Sequence, residues 1–133
     1  ESGLMIVQYV AAASLGELNG HAAPRTAFSI PTSAGQEDHV SMGATASANL
    51  LQACYHLSRV IACELLIACE ALTYANEEPA NHVLTLQKLL RNISEPLTGD
   101  RSTAQELEDI AECLRNGSWL ARIEAECGQL PRH

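Results

Sequence analysis

The feature that most constrains the fold is a long apolar stretch from about Val40 to Ala75, which contains no proline and has its one glycine, Gly43, near the start. Such a stretch predicts a helix, and at a rise of about 1.5 Å per residue it would measure roughly 50 Å. A compact chain of 133 residues has a radius of gyration of only about 14 Å, hence a diameter near ~36 Å. We therefore expect this helix to be covered by further chain, by other subunits, or by both.

The remaining apolar patterns also predict helices, and no segment alternates as a strand does. Leu4 to Leu18 is apolar almost all round, which is typical of a helix inside a large core, and Asn19-Gly20 is expected to end it. Three amphipathic helices are predicted further on: Pro79 to about Asn92, Arg101 to Arg115 with Asp100 as N-cap and Asn116-Gly117 as C-cap, and Ser118 to about Glu126. The sequence thus predicts an all-α bundle built on one very long core helix, with core helices over residues 1–75 and C-terminal amphipathic helices over residues 76–133.

Charge and composition exclude several classes of function. The net charge is -8, from 8 basic and 16 acidic residues, and Lys88 is the only lysine. Because no basic cluster exists, neither a nucleic acid nor an anionic membrane surface is an expected partner. Glu17 interrupts the first apolar segment too early for a membrane span, and the positive residues of a signal peptide are missing. We therefore expect a cytoplasmic protein.

Five cysteines occur in the sequence, with no CxxC pair among them. On a helix, Cys54 and Cys63 would lie on roughly opposite faces and could not converge on one ion. The cysteines are therefore interpreted as small buried hydrophobic residues in a reducing compartment, and no metal site is predicted.

The segment from about residue 21 to residue 39 is irregular, since Pro24, Pro31 and Gly35 break any helical period. Irregular loops of this length between apolar helices are often functional. This loop ends in an amide, two carboxylates and an imidazole just ahead of the long helix, where unpaired backbone N–H groups and the helix dipole favour anions.

The residue types at the end of this loop allow two interpretations. In the structural one, Asp38 caps the helix, Glu37 offsets the dipole, Gln36 is a surface turn residue and His39 is solvated at the helix start. Taken alone, the residue types favour this structural interpretation, because acidic residues are common at helix starts.

The exact sequence of residues 31–43, PTSAGQEDHVSMG, favours a functional interpretation of the loop instead. This string resembles the signature of histidine ammonia-lyases, which usually have Asn where Gly35 stands. The order of elements from Gly3 to Ala13, and the terminal residues 128–131, are also similar to that family. The resemblance is strong over residues 1–75 and looser beyond, and it identifies the chain as the C-terminal part of an aromatic amino-acid ammonia-lyase.

The resemblance implies an all-helical superhelix that forms homotetramers around a shared core of long helices. It implies elimination of ammonia from an aromatic amino acid, above all L-histidine to trans-urocanate. The family's cofactor is 4-methylidene-imidazol-5-one, made from an internal Ala-Ser-Gly that does not occur in this sequence. No cofactor-binding residue is therefore expected in this chain. The N-terminal portion of the family's enzymes is an implied partner, and the fragment alone is expected to be inactive.

Two site residues can be carried over from the resemblance. Glu37 matches the acidic residue that approaches the substrate and is the candidate catalytic residue, and Gln36 matches the neighbouring amide that binds substrate with it. A carboxylate at this position can accept a hydrogen bond from an imidazole N–H, which favours histidine as substrate. The sequence departs from the family at Gly35 and at Ala27-Phe28, where small polar residues are usual.

Three alternatives stay open at this stage. A tyrosine or phenylalanine ammonia-lyase and a related aminomutase would share this loop. A non-catalytic helical assembly module would instead use the apolar helices for self-association alone.

Tyr9 and Tyr55 lie on the apolar helices and are predicted to be core residues.

Overall fold

The computed structural model describes residues 2–131, and this part of the chain is all-helical, as the sequence predicts. Its only extended pairing is an isolated bridge between Pro31 and His39. Three short 3-10 helices lie at Thr26–Phe28, Ser33–Gly35 and Leu72–Tyr74. The α-helices of residues 2–131 are α1 (Met5–His21), α2 (Gly43–Ala71), α3 (Asn81–Arg91), α4 (Ala104–Arg115) and α5 (Ser118–Cys127).

Helix α1 does not end at Asn19-Gly20, and that part of the sequence prediction was wrong. The helix continues to His21, and Ala22 donates its N–H to the carbonyl of Asn19 at 3.2 Å. A glycine inside a helix costs only about 1 kcal/mol relative to alanine. Because α1 packs along α2, that contact offsets the cost and carries the helix past Gly20.

Helix α2 is the long helix that the apolar stretch predicts. It spans 29 residues from Gly43 to Ala71, which corresponds to about 43 Å. The helix starts later than Val40, because residues 39 and 40 are extended and pair across the preceding loop. Helices α1 and α4 pack against α2, and α5 packs against α3 and α4.

Asp100 was predicted to cap α4, but it does not. Helix α4 begins at Ala104, and its N-cap position is held by Thr103 without a side-chain hydrogen bond. The Asp100 carboxylate instead accepts the N–H groups of Ser2 and Gly3, each at 2.9 Å, just before α1 begins. Asp100 therefore holds the segment that leads into α1, although it caps neither α1 nor α4.

The core lies at the C-terminal half of α2, where α3, α4 and α5 meet it. Its buried members are mainly aliphatic: Ala62, Cys63, Leu66, Cys69, Leu90, Leu107, Ile110, Ala111 and Trp119, with Val7 from α1. The N-terminal half of α2, residues 43–57, has no buried residue within the described chain. Within the described residues the long helix is thus buried in its C-terminal half only, as its length predicts.

The cysteines and tyrosines do not all follow the sequence prediction. Cys63 and Cys69 are buried, and burial raises the pKa of both thiols, but Cys54 is exposed. Tyr9 and Tyr55 were predicted in the core, yet their exposed fractions are 57% and 38%. Tyr55 is only partly covered, since its hydroxyl donates to Oε2 of Glu108 in α4 at 3.3 Å.

Two further findings concern what the described residues lack. Among residues 2–131, no helix is both long and apolar enough to cross a membrane. Nor do His, Cys, Asp and Glu side chains of this part of the chain gather in a group of three that could hold a metal ion. The boundary expected between residues 75 and 76 stays a prediction.

Candidate active site

The loop between α1 and α2 is closed at its base by a short pairing of its two arms. Pro31 and His39 form the isolated bridge, and Val40 donates its N–H to the carbonyl of Ile30 at 3.2 Å. The Ser29 hydroxyl donates to the carbonyl of Val40. These contacts tie the two arms together and leave residues 32–38 as a compact turn.

The tip of this turn contains three consecutive residues in the left-handed region. Ser33, Ala34 and Gly35 have φ values of 54°, 53° and 82°. For an L-residue this conformation costs roughly 1–2 kcal/mol, whereas glycine adopts it freely. Backbone strain of this kind is often found at functional sites. Gly35 therefore lies where the backbone needs it, and the asparagine usual in the resembled family also tolerates this region.

Backbone hydrogen bonds hold the turn in this shape. Gly35 and Glu37 both donate their N–H groups to the carbonyl of Thr32, at 3.1 and 3.3 Å. Gln36 donates its N–H to the carbonyl of Ser33 at 3.1 Å. The chain reverses within these few residues, so Gln36 and Glu37 emerge side by side from a hydrogen-bonded turn.

Glu37 has one carboxylate oxygen engaged and one free among the described residues. The hydroxyl of Thr32 donates to Oε2 of Glu37 at 3.2 Å, and no described residue donates to Oε1. Glu37 and Gln36 are both exposed. The turn therefore presents a carboxylate oxygen and a neighbouring amide to the space beside it.

In the structural interpretation of the loop end, the cap by Asp38 was wrong, whereas Gln36 is an exposed turn residue and His39 is exposed, as that interpretation predicts. Helix α2 begins only at Gly43, its N-cap is Met42, and no side chain caps it. Asp38 and His39 therefore lie outside the helix, and His39 belongs to the bridge at the loop base. The Gly43 N–H is instead bonded to the Ser41 hydroxyl at 3.3 Å.

Sequence reasoning missed the residues that surround the start of the loop. His21 stacks on His56 of α2 at 5.7 Å between ring centroids, and the Asn49 amide donates to the His21 carbonyl at 3.4 Å. Arg25 lines a cavity of about 290 Å³ with His21 and Asn49, and its Nε is buried without a partner in the described chain. Only the presence of Arg25 in a chain poor in basic residues could have pointed to it.

A larger cavity of about 760 Å³ lies away from the loop, between α2 and α4. Its lining includes Leu51, Tyr55, Ile61 and Arg115. The Arg115 guanidinium lies over the Tyr55 ring at 4.7 Å from its centroid. This cavity is open and mainly apolar, and it does not include Gln36 or Glu37.

Comparison with known proteins decides the family. The family model described as aromatic amino acid lyase matches residues 1–95. The chain belongs to the aromatic amino acid lyase family. The resemblance inferred from residues 31–43 is thereby confirmed, and the loop described above lies within the matched part.

Curated relatives of this lyase chain are histidine ammonia-lyases. The protein of Symbiobacterium thermophilum is 43% identical over 132 residues, which are 97% of this chain and 26% of that protein. The protein of Streptomyces coelicolor is 40% identical over 133 residues, which are 98% of this chain and 26% of that protein. The chain thus spans about a quarter of the length of the curated relatives it matches.

A solved structure agrees with the fold of this lyase chain. The crystal structure of histidine ammonia-lyase from Trypanosoma cruzi superimposes with a TM-score of 0.85 at 32% identity. The match covers 94% of this chain and 25% of that chain. The all-α arrangement of this chain is therefore shared with the matching quarter of that structure.

Proposed function

We propose that this chain is the C-terminal part of a histidine ammonia-lyase, which eliminates ammonia from L-histidine to give trans-urocanate. The observation that carries the proposal is the turn over residues 32–38, which presents a Glu37 carboxylate whose Oε1 is bonded by no described residue. Identities of 43% and 40% to histidine ammonia-lyases support the same substrate class.

Glu37 and Gln36 are the substrate-binding residues in this proposal, and Glu37 is the catalytic one. The Oε1 of Glu37 accepts a hydrogen bond from an imidazole N–H, which a phenyl ring cannot donate. A hydrogen bond to a charged group is worth about 1.5–3 kcal/mol. A carboxylate here therefore favours histidine over a substrate with an apolar ring.

The electrophilic cofactor of the resembled family, 4-methylidene-imidazol-5-one, supplies the electron sink for the elimination when it is present. Its Ala-Ser-Gly precursor does not occur in this sequence, and no described residue of this chain fits the task of forming it. This chain contributes substrate-binding groups, and the cofactor belongs to the N-terminal portion of the proposed full-length enzyme.

The proposal includes self-association, as a homotetramer in the full-length enzyme. Large apolar side chains of α1 and of the N-terminal half of α2 are exposed, among them Ile6 (59%), Leu50 (64%) and Leu51 (71%). Soluble monomers rarely tolerate extended apolar surface of this kind. The five cysteines are all free thiols, which supports a reducing compartment such as the cytoplasm.

The test is the formation of urocanate, followed by its absorbance, from L-histidine added to the full-length protein and to this chain alone. We expect product from the full-length protein only. Product from tyrosine or phenylalanine instead of histidine would favour an aromatic lyase of another specificity or an aminomutase. No turnover of any of these amino acids would contradict the proposal and favour an assembly module.

The role of Glu37 is tested by Glu37→Gln in the full-length protein, with Asp38→Asn as the matched control. We expect Glu37→Gln to lower kcat/KM for histidine by about tenfold to a hundredfold relative to that for tyrosine, since the imidazole loses a charged acceptor. Asp38→Asn is expected to leave this ratio within about twofold, a change of less than 0.5 kcal/mol. An unchanged preference in Glu37→Gln would remove Glu37 from substrate selection.

A further inference from the structure

Thr32 and Glu37 are joined by two separate hydrogen bonds across the turn. The Thr32 hydroxyl donates to Oε2 of Glu37 at 3.2 Å, and the Glu37 N–H donates to the Thr32 carbonyl at 3.3 Å. Thr32 therefore bonds Glu37 twice, through its carbonyl at the Glu37 backbone and through its hydroxyl at the Glu37 carboxylate. No other described side chain bonds the Glu37 carboxylate.

The turn leaves this pair little freedom to rearrange. The left-handed residues Ser33, Ala34 and Gly35 bring position 37 back to position 32. The bridge at the loop base prevents the two arms from separating. Thr32 is β-branched, so its χ1 is restricted, and its hydroxyl direction follows from the backbone.

We propose that Thr32 is a positioning residue, whose hydroxyl occupies Oε2 of Glu37 and so presents Oε1 to the imidazole of the substrate. A glutamate side chain in solvent samples several rotamers, and a productive contact requires only one of them. The hydroxyl removes that freedom before the substrate arrives. This inference rests on the proposed function, because it assumes that Glu37 contacts the substrate.

The test compares Thr32→Val, which removes the hydroxyl and keeps the shape, with Thr32→Ser, which keeps the hydroxyl. Both are made in the full-length protein and assayed for kcat/KM with histidine. Thr32→Val is expected to lower kcat/KM about tenfold, because a misdirected carboxylate loses a charged contact. Thr32→Ser is expected to recover most of the loss. The control is Thr26→Val in the same loop, where the exposed hydroxyl bonds no described residue, and kcat/KM is expected to stay within about twofold.

A double-mutant cycle with Glu37→Gln separates positioning from a general effect on the loop. If Thr32 acts through the carboxylate, Thr32→Val costs about tenfold in the parent and less than about twofold in the Glu37→Gln background. Equal losses in both backgrounds, or no loss in the parent, would overturn the proposal. The midpoint of thermal unfolding, measured for each variant, shows that the proteins compared are folded.

The outcomes also distinguish this inference from the proposed function. A full-length protein that turns over histidine and needs Glu37, yet is indifferent to Thr32→Val, refutes the positioning role alone. A protein whose activity does not change in Glu37→Gln refutes the role of Glu37, and the role of Thr32 falls with it.

Discussion

Glu70 and Arg91 form an ion pair in the interior of the described chain. Nη2 of Arg91 lies 3.0 Å from Oε2 of Glu70, and the side chains of Arg91 and Glu70 are only 17% and 11% exposed. Arg91 also donates to the Cys69 carbonyl at 3.1 Å, and Leu97 donates its N–H to Oε1 of Glu70 at 3.3 Å. The pair therefore joins the end of α2 to α3 and to the segment after α3.

At the scale of single residues, we predict that Glu70→Gln loosens the contact between α2 and α3. Removing one partner leaves a charge in a poorly hydrated site, a change that costs about 3–5 kcal/mol for a fully buried pair. We expect about 2 kcal/mol here, since both groups retain some solvent contact. Amide hydrogen exchange of the full-length protein over residues 89–97 should then be roughly 30-fold faster, as 1.4 kcal/mol corresponds to tenfold.

The control for this prediction is the exposed pair Arg122–Glu126, whose side chains are 66% and 43% exposed. Exposed pairs contribute about 0–1 kcal/mol, because water and salt screen the charges. Arg122→Gln should therefore leave exchange over residues 89–97 unchanged. Equal exchange in Glu70→Gln and the parent would show that the inner pair is not needed for this packing.

At the scale of elements, the ends of the helices depend on two kinds of signal. Gly117 has a φ of +71° between α4 and α5 and donates its N–H to the Leu114 carbonyl at 3.3 Å. This is a local stop signal, and it can be read from the sequence. The segment just before α1 is held instead by Asp100, which lies far along the chain and accepts the N–H groups of Ser2 and Gly3. No local pattern indicates such a contact.

We predict opposite signs for two glycine substitutions in the full-length protein. A Cβ at Gly117 would meet no atom within 4 Å, but the left-handed backbone makes Gly117→Ala cost about 1 kcal/mol. Gly20 is helical and equally open, so Gly20→Ala should stabilise the protein by about 0.5–1 kcal/mol. The midpoint of thermal unfolding should fall for the first and rise for the second. A shift of both midpoints in the same direction would contradict this account.

At the scale of the whole molecule, helix α2 is buried in its C-terminal half and largely exposed in its N-terminal half. The core gathers around the C-terminal half of α2, while Leu50, Leu51 and Leu57 farther up the same helix are exposed. Burying a leucine side chain is worth about 1.5–3 kcal/mol. The uncovered half of α2 is therefore the surface on which the proposed assembly would depend.

We predict that Leu51→Glu weakens this assembly in the full-length protein. A carboxylate in an apolar contact loses hydration without a partner, and the leucine contact is lost as well. The mass measured by sedimentation should fall towards that of a smaller species. Leu120→Glu on the amphipathic helix α5, where Leu120 is 48% exposed, is the matched control and should keep the parent mass. A parent protein that sediments as a monomer would contradict the proposed assembly.

Much of the fold follows from local patterns in the sequence. The proline-free apolar stretch predicts α2, periodic leucines predict α3 and α4, and the string over residues 31–43 predicts the family. Each of these signals depends on neighbours along the chain, because helical spacing and turn residues act over a few positions. The loop at residues 21–39 was likewise located from its prolines and glycine, although the left-handed backbone at Ser33 and Ala34 was not foreseen.

The sequence by itself determined that the chain is helical, which residues form the loop, and which family it resembles. Only the tertiary structure decided that α1 passes through Gly20, that Asp100 bonds the segment before α1 and does not cap α4, and that Thr32 bonds the Glu37 carboxylate. It also left Tyr9 exposed and placed Tyr55 beside Glu108 and Arg115 of α4. The physical reason is that a helix end or a side-chain hydrogen bond depends on which partners lie within reach in space, and residues close in space can be far apart in sequence.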